Sequence, residues 1–84
     1  MIGKELIGRE NAGFKIIGVI GHPSQHADDA GRLFYVLGER QEIKHDQPDH
    51  VTWLYEASTD GFSNGHYIKG HADALADLKE RSAK

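Results

Sequence analysis

The chain has no cysteine among its 84 residues, an absence that excludes disulfide staples, thiol catalysis and thiolate zinc sites at once. Proline is nearly as scarce: there are two, and Pro48 falls in a polar stretch where it blocks the continuation of a strand ladder. Long apolar runs are also missing. No segment approaches the roughly 20 apolar residues that span a bilayer, and Met1-Ile2-Gly3-Lys4-Glu5 has no basic segment leading into an apolar one. The expectation is therefore a cytoplasmic protein without a membrane segment. Positive charge is absent where a nucleic-acid module would need it. Between His45 and Ile68 there is no Lys or Arg, while Asp46, Asp49, Glu56 and Asp60 all lie in that interval. Such a stretch repels phosphate and argues against duplex binding. The formal charge of −3 is too mild for an acidic mimic of nucleic acid.

The length allows one domain, residues 1–84. So short a chain buries a modest share of its surface and gains from a metal or a partner subunit. Its clearest element is the alternation of Val51, Trp53, Tyr55 and Ala57 against Thr52, Leu54 and Glu56, the two-residue period of a strand. Asp60-Gly61 follows, a pair suited to the positive φ of a reversal. The chain then returns antiparallel through Phe62 to Lys69, with Asn64-Gly65 inside it marking a bulge or else the true tip of a wider loop. Two further strands are read at 14–21 and 32–40. Lys4 to Arg9 can be read two ways, since Ile2 and Leu6 sit four apart as on a helix, but Gly3 and Gly8 weaken a helix and a first strand at 4–9 is favoured, ending in the turn material Glu10-Asn11-Ala12-Gly13. Ser24 to Gly31 and Gln41 to His50 read as loops. His71 to Arg81, rich in Ala and Leu with Asp73 early and Lys79 and Arg81 late, reads as a helix with a narrow stripe of Ala72, Leu75, Ala76 and Leu78. The fold class is α+β: a four- or five-stranded antiparallel sheet, open or curled toward a barrel, with a C-terminal helix.

The strands at 14–21 and 32–40 carry apolar residues on both faces. In the first, Phe14, Ile16 and Ile20 fall on one side and Ile17 and Val19 on the other. One helix about 10 Å wide covers one face of a sheet some 15 to 20 Å across. The second face needs the sheet to curl, a second copy, or another protein.

Candidate chemistry is thin. His22-Pro23-Ser24-Gln25-His26 has the four-apart spacing of a helical metal pair, but Pro23 interrupts it and no Glu follows the first His. In an up-and-down sheet the 41–50 loop and the helix start share one end, which gathers His45, Asp46, Asp49 and His50 with His71. A solvated polar loop is the preferred reading of that cluster; as a metal site it would be of oxygen and imidazole type. No serine sits on a nucleophile turn, and Gly18-Val19-Ile20-Gly21-His22-Pro23 lacks the phosphate-loop spacing and ending. No catalytic residue, cofactor or metal is assigned. The expectation is a non-enzymatic protein-interaction domain, a homodimer or a small inhibitor or adaptor in the style of phage and mobile-element proteins. It would dock through Tyr35, Trp53, Tyr55 and Tyr67, with Asp46, Asp49, Glu56 and Asp60 steering toward a basic partner surface. The alternative is single-stranded nucleic-acid binding by stacking on the sheet aromatics.

Overall fold

A computed structural model of the chain describes residues 6–21, 33–42 and 46–83. The β-branched and aromatic segments extend as β1 (Glu10–Asn11), β2 (Phe14–Gly21), β3 (Leu33–Arg40), β4 (His50–Glu56) and β5 (Gly61–Ile68), and the Ala- and Leu-rich tail forms α1 (His71–Ser82). The strands make one five-stranded sheet in chain order, every neighbouring pair antiparallel. This is the expected α+β fold. The strand expected at 4–9 differs: within its described part, Leu6 to Gly8 turn rather than extend, because Gly8 takes a φ of +89°, and the first strand is the two-residue β1. The loop at 24–31 and His45 lie outside the described residues. The reversal near Asp60 occupies residues 57–60, with Asp60 itself at φ +53° and Gly61 opening β5.

The sheet is strongly curled. Phe14 on β2 and Tyr67 on β5 have ring centroids 5.9 Å apart, whereas three strand spacings in a flat sheet would separate them by about 14 Å. Two bulges supply the bend, since an extra residue in one strand raises local twist. On β5, Asn64 at φ +52° and Gly65 together face Trp53; a Cβ on Gly65 would stand 3.0 Å from the indole Nε1. On β2 the register slips at Ile17, which moves Val19 to the inside and sends Ile20 to the outside with Ile17. The expected grouping of Ile20 with Phe14 and Ile16 assumed an unbroken strand. Inside the curl, Leu6, Phe14, Ile16, Phe34, Val36, Val51, Trp53 and Tyr55 form one buried cluster. Gly38 admits this packing, because a Cβ there would lie 3.0 Å from Val51 and 3.1 Å from Phe14.

A polar latch ties the two margins of the curl. Arg9, just before β1, makes two hydrogen bonds to Asp60 at 2.6 and 2.7 Å, and the Tyr55 hydroxyl donates to the same carboxylate at 2.7 Å. The Arg9 guanidinium also sits 5.6 Å from the Phe62 ring. Bonding to Arg9, and then to Tyr55, holds the Asp60 carboxyl down to about 2.

The outer face takes α1. Ala74 and Leu78 are buried there against Leu37, with Ile17, Ile20, Tyr35, Ile68 and Leu75 packed around them. Thr52, fully buried, donates to Asp77 at 2.6 Å and accepts from Arg81 at 2.9 Å, and Arg81 lies 4.8 Å over the Tyr35 ring. That clasp sets the helix rotation. Ala72 and Ala76, expected in the buried stripe, are exposed, and Ala74 takes their place.

Because Asp60 is more acidic in the fold than in an unfolded chain, where Asp titrates near 3.9, its contribution is complete above that value and disappears as pH falls through about 2. Asp60→Asn should therefore lower the urea midpoint at neutral pH and flatten the wild-type decline between about pH 4 and 2. An unchanged acid profile in the variant would show that the latch contributes nothing.

Candidate metal centre

Register brings the site together. Glu39 near the end of β3 pairs directly with His50 at the start of β4, and residues two apart on a strand share a face, so both project to the side that carries Leu37, Thr52 and the helix. His50 in turn pairs with Ile68 of β5. From there Lys69 and Gly70 carry the chain to His71, the first residue of α1. The helix start is thereby set above the Glu39–His50 pair.

One carboxylate orients the centre. The same oxygen of Asp49 accepts from His50 Nδ1 at 2.8 Å and from the Gly70 backbone N–H at 2.8 Å. These two bonds, the His50 one foremost, lower the Asp49 pKa below its ordinary value. Asp49 is therefore ionised and acceptor-only, so Nδ1 of His50 must carry the proton. In the neutral ring, Nε2 is then left with a bare lone pair. That nitrogen stands 3.3 Å from Nδ1 of His71 and 3.5 Å from a carboxylate oxygen of Glu39. His50 is 5 % exposed, while Glu39 and His71 face solvent.

The three donor atoms lie within 4.8 Å of one another. Two donors each about 2.0–2.1 Å from a tetrahedral zinc stand about 3.3 Å apart, which the two imidazoles already satisfy. Rotation of the exposed Glu39 side chain would complete a His, His, Glu set. A carboxylate holding the remote N–H of a ligating imidazole is the usual outer-shell partner of such sites. Beside the centre lies an open depression of about 310 Å³ lined by Glu39, Arg40, Gln41, Asp49 and His50. Arg40 is fixed at its wall, donating to the Pro48 carbonyl at 2.9 Å and stacking 4.6 Å over Phe14.

No family model, curated protein or solved structure matches the chain.

Of the cluster read from the sequence, the fold brings Asp49, His50 and His71 together; Asp46 is exposed outside it, and His45 and the His22/His26 pair lie outside the described residues. Glu39 was missed. Its signal is the β3–β4 register, which appears only once Gly38 is matched to Val51. The expected docking aromatics are dispersed. Trp53 and Tyr55, each 4 % exposed, line the interior of the curl, out of reach of a partner surface or a stacking base. Tyr35 is half-buried beneath Arg81, and Tyr67 alone of the four is open, at 54 %. The expected steering carboxylates are divided too: Asp60 is held by Arg9 and Tyr55, Asp49 by His50 and Gly70, and Glu56 accepts from Ser58 at 2.5 Å.

Nitrogen-15 NMR of the neutral protein should report His50 with its proton on Nδ1 and a bare Nε2. Asp49→Ala should remove that preference. A wild-type ring protonated on Nε2 alone would contradict the assigned role of Asp49.

Proposed function

We propose that this domain binds a divalent transition-metal ion, zinc foremost, through Glu39, His50 and His71. The observation that carries the reading is the orientation of His50: a buried imidazole whose Nδ1 is tied to Asp49 and whose Nε2 points at a second imidazole and a carboxylate. Imidazole with carboxylate suits zinc, copper, nickel or iron. Three protein ligands leave a fourth position open to water or a small ligand, next to the depression lined by Arg40 and Gln41. The function is one of binding, and no residue is given a catalytic role.

Calorimetric titration with zinc should give one site per chain at neutral pH. The exposed ligands provide the variants, since neither supports the core. His71→Ala and Glu39→Gln should each weaken binding more than tenfold, and Asp49→Asn by about 10- to 100-fold through loss of orientation. Affinity should fall on acidification, because protons compete with the ion for the same ligand atoms. Equal affinity in the wild type and in a Glu39→Gln/His71→Ala double variant would remove this function.

A second reading, self-association as a protein-interaction domain, is supported by one observation. β5 is the outermost strand and pairs only with β4 among the described strands, and it presents Tyr67. An unpaired edge of this kind accepts a further strand. Light scattering across a dilution series should then give a dimer that Tyr67→Lys converts to a monomer; a wild-type monomer at every concentration rules it out.

A further inference from the structure

We propose that metal occupancy controls the docking of α1 on the outer face of the sheet. The inference rests on the metal-binding reading and adds its consequence. Each of the three ligands comes from a different element: Glu39 from β3, His50 from β4 and His71 from the first position of α1. A bound ion therefore joins the helix to the sheet at a single point.

Among its 12 residues only Ala74 and Leu78 are fully buried, with Leu75 partly buried beside them, and polar bonds run from Asp77 and Arg81 to Thr52 and from His66 to Asp77 at 3.1 Å. Its start carries no side-chain cap: Gly70 occupies the capping position at φ +97°, and Asp49 reaches it only through the Gly70 N–H. A helix of this length is not stable alone in water, because nucleating the first turn is costly. Elements with few buried contacts open at lower free energy than the core. An ion on His71 fixes the first turn where nucleation is needed, and it does so beside Asp49, which aligns both the helix start and His50.

Without metal the helix opens more often than the strands beneath it. Opening uncovers Ile20, Tyr35, Leu37 and Ile68, the apolar outer face. Metal thereby closes a surface that the metal-free chain transiently presents.

Hydrogen exchange of the full chain, with zinc itself as the probe, tests this. At a free zinc concentration about 100 times the dissociation constant, mass action slows exchange from the helix-open state by up to about 100-fold. The amides of residues 75–82 should slow by well over tenfold, and those of β3 and β4 markedly less. The His71→Ala chain should show no zinc effect in the helix. If calorimetry finds one zinc per chain while the helix amides change less than twofold, or while strands and helix slow equally, the docking proposal fails and the metal site stands. If no zinc binds, both fail.

Discussion

The curling of the sheet over its own inner face is the constraint on which everything else in this protein depends. A sheet whose strands β2 and β3 carry apolar residues on both faces has one helix to cover it, and a flat sheet would leave a face of aromatic rings in water. Curling brings Phe14 on β2 to within 5.9 Å of Tyr67 on β5, so that the inner face covers itself. The bulges at Ile17 and at Asn64-Gly65 and the missing side chain at Gly38 allow the bend. The Arg9–Asp60–Tyr55 latch joins its margins. A short chain without disulfides thus gains a buried core that its surface-to-volume ratio would otherwise make difficult.

With the inner face closed, the helix is free to serve the outer one, and its mode of attachment is unusual in emphasis. Ala74 and Leu78, with Leu75 beside them, provide the apolar contact, and the buried Thr52 is the centre of the polar one. Thr52 is fully buried yet satisfied, giving to Asp77 and receiving from Arg81, so it adds direction at little cost in unpaired groups. The same arrangement explains where chemistry can arise. Glu39 and His50 reach the end of the outer face side by side through strand pairing, and the helix must begin above them because β5 ends there. Asp49 links the two by bonding both His50 and Gly70. The proposed metal binding and the docking of the helix are for this reason aspects of one junction.

Much of the fold could be read from local periods. The alternation through Val51, Trp53 and Tyr55, the bulge at Asn64-Gly65 and the span of the final helix are set by residues within a few positions of one another, and all three are present as expected. The placement of the 41–50 stretch near His71 also followed from up-and-down connectivity alone. That argument brought Asp49, His50 and His71 to one end of the sheet, and in the structure they are bonded neighbours.

What depended on partners distant in the chain could not be read. Arg9 and Asp60 are 51 positions apart, and nothing near either residue names the other. Glu39 joins His50 only through register, and the slip at Ile17 exchanges the faces of Val19 and Ile20 because one inserted residue inverts a two-residue period. The helix stripe was misjudged for a related reason: its own residues favoured Ala72 and Ala76, but the bonds of Asp77 and Arg81 to Thr52 turned it toward Ala74. Sequence by itself determined the elements and their order, through local propensity and spacing. Tertiary structure alone decided which faces meet, since curvature, register and helix rotation are settled by contacts among all the strands together.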